Sequence, residues 1–201
     1  MSTPARTVVG NITLSLDGRV AGRGGPYDMG WIVPHATTAG SREHMIRVTS
    51  AATTALLGRN NYEGFGGFWP SVAEMPDADP LDRQFSRWLN EVEKVVFSTT
   101  LKEAGWSNSR IATTDPATTV KELREQDGGD IIVLASTSVI QNLLEADQLD
   151  RLSITLAPEV VGGGAAFFPA GIDGTSWRLV DSTGTESGAL CLLYDRIRTD
   201  S

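Results

Sequence analysis

The 201-residue sequence predicts a three-layer α/β domain with a mostly parallel central sheet and antiparallel strands at the C-terminal end. Three observations carry this. Strand-like and helix-like segments alternate over most of the length, as parallel strands joined by helical crossovers require. Residues 130–135 form a continuous apolar run, the mark of a strand covered on both faces. Beyond residue 151 only strand patterns remain. No internal repeat, linker or low-complexity stretch divides residues 1–201, so one domain is expected.

The first strand covers residues 8–16, apolar and β-branched, and ends at the turn signal Asp17-Gly18. A glycine-rich loop follows at 22–30. Met45, Val48 and Ala52 recur at helical spacing and predict a helix over 41–52. Residues 53–57 form the next strand. The run Gly64-Phe65-Gly66-Gly67-Phe68-Trp69-Pro70 breaks the helical pattern and should expose its aromatics. Asp79-Pro80 caps and opens a helix with Phe85, Trp88, Leu89 and Val92 on one stripe. Residues 94–97 and 110–112 read as short strands. Thr119 and Glu122 have the spacing of a capping box, with Val120 and Leu123 facing inward. Ser136 should cap a helix whose inner face is Val139, Ile140, Leu143 and Leu144. Strands at 152–156, 177–181 and 189–196 complete the sheet.

Composition removes several classes of function. Lys plus Arg number 17 against 25 for Asp plus Glu, and the net charge of −8 argues against nucleic acid and anionic membranes as partners. No run of about 18 apolar residues could span a bilayer. Residues 1–6 lack the apolar core of a signal peptide, and Cys191, the single cysteine, lies in an apolar run as a buried thiol. A cytoplasmic location is expected. His35 and His44 have no second ligand at helical spacing, so no metal site is expected.

The most informative segment is 53–63. Leu56 and Leu57 end a buried strand, Gly58 makes the turn, and Arg59, Asn60 and Asn61 open a helix. The first N–H groups of a helix have no internal partner and favour an anion. Arg59 adds a guanidinium that can grip a phosphate through two hydrogen bonds. This reads as a phosphate-binding turn for a nucleotide cofactor.

The element Gly58-Arg59-x-x-Tyr62-Glu63 resembles the strand–turn–helix of the dihydrofolate reductase fold. Residues 15–21, Ser-Leu-Asp-Gly-Arg-Val-Ala, with Trp31-Ile32, resemble the opening of the reductase domain of bifunctional riboflavin-biosynthesis proteins. Residues 96–101 with Gly105-Trp106 are similar to small stand-alone relatives. Leu149-Asp150-Arg151-Leu152, the 158–164 segment and Phe167-Phe168-Pro169 match the late signature of that family. The pieces occur in family order across nearly the whole chain.

The resemblance implies a dihydrofolate reductase-like fold, NADPH as cofactor, a small-molecule substrate and a homodimer. Gly58, Arg59, Asn60 and Asn61 would hold phosphates, Ser98 and Thr99 would approach the adenosine 2′-phosphate, and Ser136, Thr137 and Ser138 would offer a second helix N-terminus. Thr13, Ala21 and Gly22 would line the nicotinamide, with Gly162 and Gly163 allowing close backbone approach. Ala135 stands where relatives usually carry glycine.

For the chemistry, Asp17 is either a turn residue or a polar group near the substrate. Glu43 is the carboxylate nearest to the first-helix acid of folate reductases, or a solvated helix residue. His44 is a proton donor, an anion ligand or a surface histidine. Arg47 sits where riboflavin-type relatives grip a ribose phosphate. Trp31, Phe68 and Trp69 either stack on a flat substrate or fill the core. Two functions follow: an NADPH-dependent reductase of a pterin- or pyrimidine-like heterocycle, or of a carbonyl or imine, and a non-catalytic nucleotide- or flavin-binding module of the same fold.

Overall fold

A computed structural model describes residues 6–198; residues 1–5, on which most of the leader reading rests, and 199–201 lie outside the described residues. The strands are β1 Val8–Ser15, β2 Ala52–Gly58, β3 Glu93–Phe97, β4 Ser109–Ile111, β5 Asp130–Leu134, β6 Arg151–Ala157, β7 Ser176–Gly184 and β8 Leu190–Ile197. The helices are α1 Val33–Ala36, α2 Ala39–Thr49, α3 Arg59–Val72, α4 Pro80–Glu91, α5 Pro116–Arg124 and α6 Thr137–Glu145. One sheet runs β4-β3-β2-β5-β1-β6-β8-β7. Every pairing from β4 to β6 is parallel, and β8 runs antiparallel to both of its neighbours. This is the dihydrofolate reductase-like architecture the sequence predicts.

Period-two alternation sorts the strand residues between two helical layers. Val8, Ile12, Leu56, Val95, Ile131 and Val133 face α5 and α6, where Val120, Leu123, Ile140 and Leu143 meet them. Val9, Ala55, Leu57, Val96, Ile132 and Leu134 face the other way, toward Val48, Tyr62, Phe85 and Leu89 of α2, α3 and α4. β5 sits between β1 and β2 and is buried from Ile131 to Leu134, which is why its sequence shows no polar alternation. Truncating such a side chain, Leu56→Ala for example, costs about 2–5 kcal/mol.

Two local expectations are corrected. The 64–70 run does not break the chain: α3 passes through all three glycines and Pro70 to Val72. Tertiary contacts override local propensity here. Trp69 packs edge-on against Phe85 at 4.7 Å, Ser86 Oγ donates to the Trp69 carbonyl at 2.6 Å, and Asn90 Nδ2 donates to that of Pro70 at 3.3 Å. The carbonyls at the end of α3 are therefore satisfied by α4. The second correction concerns α5, which starts earlier than the capping box suggests. Asp115 is the N-cap, accepting from Thr118 N, with Pro116 at the first turn. Thr119 lies inside the helix, its hydroxyl 2.8 Å from that of Thr114. Among the described residues, no helix is long and apolar enough to cross a membrane.

Candidate functional site

Adjacent parallel strands β2 and β5 send their following helices to opposite faces: α3 joins the layer of α2 and α4, while α6 joins that of α5. Such a switch point leaves a crevice at the carboxyl ends of the strands. A cleft of about 1420 Å³ opens there, floored by Asn11, Thr13 and Thr155 and bordered by the starts of α3 and α6.

At one end the two helix starts lie side by side. Gly58 N donates to Ser136 Oγ at 2.8 Å, and that hydroxyl donates to the Leu134 carbonyl at 2.9 Å. Ser136 is thus the N-cap of α6 by position only; its hydroxyl rivets two loops together instead of capping, contrary to the sequence expectation. Neither α3 nor α6 has a side-chain cap or an acidic residue in its first turn. Both therefore present free N–H groups and the positive end of a dipole. Arg59 extends over the same end, within 3.3 Å of Thr100 Oγ1 and 3.4 Å of Asn60 Oδ1, with no carboxylate pairing it among the described residues. Ser98 Oγ accepts from Thr100 N and Leu101 N at 3.1 and 2.9 Å and so folds the loop that carries Thr99 and Thr100. Asp115, the acidic residue of the lining at this end among the described residues, is held on its own helix by Thr118 Oγ1 and N, which lower its pKa.

Ala135 joins β5 to α6 at φ +50. Glycine adopts this conformation freely and alanine does not, so Ala135 is held in a strained backbone position.

The other end is built from α2, α3 and α4. Met45, Phe65, Trp69, Leu81 and Phe85 line it together with Arg42, His44 and Asp82. His44 is not a surface residue; it is 2% exposed. Its Nδ1 lies 3.0 Å from an Arg47 nitrogen, which can only donate, so Nδ1 accepts and the proton sits on Nε2, 2.7 Å from Ser153 Oγ. Burial, and secondarily Arg47, lower its pKa to about 4. His44 is therefore neutral at pH 7.

The structure brings Thr13, Ala21, Gly58, Arg59, Asn60, Asn61, Ser98, Thr99, Ala135, Ser136, Thr137, Ser138, His44 and Trp69 to the cleft wall. The other candidates lie elsewhere. Asp17 accepts from Ser15 Oγ at 2.7 Å and from Val161 N and Gly162 N at 3.0 Å each, which hold its pKa at about 2. It clamps one loop to another. Gly22 donates to the Asp28 carbonyl at 2.8 Å, outside the cleft lining. Gly162 and Gly163 pack on Arg23, and the close backbone approach is made by the next glycine: a Cβ on Gly164 would fall 2.2 Å from the Ala21 carbonyl. Glu43 is exposed on the outer side of α2. Arg47 pairs with Asp181 at 3.0 Å. Phe68 is 56% exposed on α3, and Trp31 lies outside the lining with its indole N–H unpartnered.

Several lining residues were not assigned to a site from the sequence. Asn11 and Thr155 looked like strand interior, Arg42 and Met45 like ordinary helix positions, and Phe65 like an exposed aromatic in a pattern-breaking run. Their signal was available in polar residues on otherwise apolar strands, as at Asn11, which donates to Ser153 Oγ at 3.0 Å.

The class defined by this fold and cleft is a three-layer α/β protein with a large crevice at the strand tips. The model of the RibD C-terminal domain family matches residues 6–191, and the chain belongs to that family. It is 23% identical over 190 residues to the uncharacterized protein YyaP of Bacillus subtilis, with 94% of each chain covered. It superposes on a putative riboflavin biosynthesis protein from Shewanella sp. PV-4 with a TM-score of 0.69 at 22% identity, covering 96% and 99% of the two chains. A dihydrofolate reductase from Enterococcus faecalis, complexed with NADP(H) and RAB-propyl, gives a TM-score of 0.60 at 16% identity, covering 96% and 97%.

The donor set of the cleft fits a dinucleotide. Two open helix starts, a guanidinium that no carboxylate pairs among the described residues and the hydroxyls of Thr100, Thr137 and Ser138 gather at one end of the cleft, the kind of donor set that phosphates require. Among the described residues, no cluster of three or more His, Cys, Asp or Glu could hold a metal ion.

Proposed function

We propose that this protein is an NADPH-dependent reductase of a small planar heterocycle or carbonyl compound. The observation that supports it most is the convergence of α3 and α6 at one end of the cleft, fixed by the Gly58–Ser136 hydrogen bond at 2.8 Å and overhung by Arg59. Arg59, Asn61, Thr137 and Ser138 would hold the phosphates, with Ser98 and Thr99 beside the adenosine end. Thr13, Ala21 and Thr155 would then flank the nicotinamide at the strand tips. The cofactor supplies a hydride when bound; the chain supplies position and dryness. Met45, Phe65 and Trp69 line the other end of the cleft and would shield the reacting face from water. His44 donates its Nε2–H to Ser153 Oγ, so it orients neutral groups of the floor.

Titrating NADPH into the protein should quench tryptophan fluorescence through Trp69 at micromolar concentration. Loss of the reduced nicotinamide's absorbance should follow when a substrate from a pterin, pyrimidine and aryl-carbonyl panel is added. No dinucleotide binding at millimolar concentration would retire the proposal.

One observation favours the second reading, a non-catalytic nucleotide- or flavin-binding module. Neither Asp17 nor Glu43 reaches the cleft, and the carboxylates that do, Asp82 and Asp115, are engaged by Arg42 and Thr118. That reading predicts tight nucleotide binding with no turnover, and steady NADPH consumption with any panel member rules it out.

A further inference from the structure

Beyond the dinucleotide end the cleft changes character. Among the described residues, the charged side chains of its lining are Arg42, Arg59, Asp82 and Asp115. Arg59 and Asp115 belong to helix starts at the phosphate end, which leaves Arg42 and Asp82 in the other half. These two answer each other. Arg42 Nε donates to Asp82 Oδ1 at 2.9 Å, one of its terminal nitrogens lies 3.7 Å from Asp79, and the same nitrogen donates to the Thr37 carbonyl. The lining pair Arg42–Asp82 is charge-neutral, and with Asp79 behind it the guanidinium is fully engaged, so no free cation is left in this half. His44 contributes no positive charge, because its Nδ1 is committed to Arg47 and its Nε2 to Ser153. The rest of that half is Met45, Phe65, Trp69, Leu81 and Phe85. Tyr27, Met29 and Val33 extend the apolar surface to the mouth, where they are 70%, 40% and 58% exposed.

We infer, on top of the reductase reading, that this half of the cleft selects an uncharged, largely apolar planar substrate and turns away phosphorylated or carboxylated ones. An anion seated there would shed water without meeting a free cation and would face the Asp82 carboxylate. A neutral ring would bury its faces against the aromatic wall and find the uncharged hydroxyls of Ser41 and Thr155 at its edge. A phosphoribosyl substrate does not fit this arrangement, since every arginine near that half is already committed.

The test uses a matched pair of probes, α-naphthol and α-naphthyl phosphate, titrated into the full-length protein saturated with NADP⁺. Calorimetry and saturation-transfer NMR read the binding. The neutral ring should bind, and its phosphate ester should bind at least about tenfold more weakly. The Asp79→Asn, Asp82→Asn double variant frees Arg42 from its carboxylates and should improve the phosphate ester about tenfold relative to α-naphthol measured in the same variant, with NADP⁺ affinity as the control at the other end of the cleft. Circular dichroism checks that the variant folds; if it does not, the wild-type ratio alone decides. Equal or tighter binding of the ester, or no saturation by either ring at millimolar concentration, overturns the inference. If NADP⁺ itself fails to bind, the dinucleotide reading falls separately. The pair is then compared in Arg59→Ala protein, where the phosphate end lacks its guanidinium, and the same ratio decides.

Discussion

Ala135 holds a left-handed φ of +50 that costs a β-carbon about 1–2 kcal/mol. Ala135→Gly removes that strain but gives the unfolded chain more freedom, worth about 0.4–1 kcal/mol in the opposite direction. The variant should be more stable by about 0.5–1 kcal/mol in urea denaturation, the reverse of the usual Ala→Gly effect. His44 makes a pH prediction. Its pKa is lowered from 6.5 to about 4 in the folded protein, so between those values the unfolded chain binds more protons. Stability from this group is therefore complete above pH 6.5 and is lost as pH falls toward 4, by up to about 3 kcal/mol. His44→Gln should flatten that part of the urea-midpoint profile relative to wild type. The sequence shows both residues but neither environment. A histidine on a helix reads as surface until Ser153 and Arg47 are known to enclose it, and Asp17 reads equally as a turn residue or a substrate group until its oxygens are seen to accept from Ser15, Val161 and Gly162.

At the scale of elements, Lys94 shows how one residue joins a helix to the sheet. It is fully buried, and its ammonium donates to the carbonyls of Leu89 and Val92 at 2.8 and 2.7 Å, above the Trp106 ring at 4.8 Å. Those carbonyls terminate α4 and have no helical partners. Lys94→Met keeps the stem but strands them, and should cost about 2–4 kcal/mol by chemical denaturation. The elements themselves were largely legible. The Asp79-Pro80 helix start, the double-sided strand at 130–134 and the strand–Gly58–helix turn are written in local chemistry, and each forms where that chemistry places it. The passage of α3 through Gly64, Gly66, Gly67 and Pro70 was not legible, because Phe85, Ser86 and Asn90 decide it from another helix.

Over the whole molecule, an acidic chain of net charge −8 keeps the Arg59 guanidinium, which no carboxylate pairs among the described residues, beside two open helix starts at the tips of a parallel sheet. That local reversal of sign is what makes an anionic cofactor compatible with the global charge. The opposite edge suggests assembly. β7 is a nine-residue edge strand with Leu179 and Val180 exposed, and Leu190 and Ile197 stand exposed on β8 beside it. Long apolar edges invite pairing. We propose that two copies associate through this edge, so light scattering should return twice the monomer mass, and Val180→Lys should shift it to the monomer value.

The central claim is that the starts of α3 and α6, with Arg59, form the phosphate cradle of a dinucleotide. Amide-resolved NMR during NADPH titration tests it most directly. Asn60, Asn61, Thr137 and Ser138 should shift together and saturate at micromolar cofactor, and Arg59→Ala should weaken NADPH by about 1.5–3 kcal/mol while changing NADH less. Shifts confined to other surfaces, or a guanidinium whose removal leaves NADPH affinity unchanged, would contradict the account.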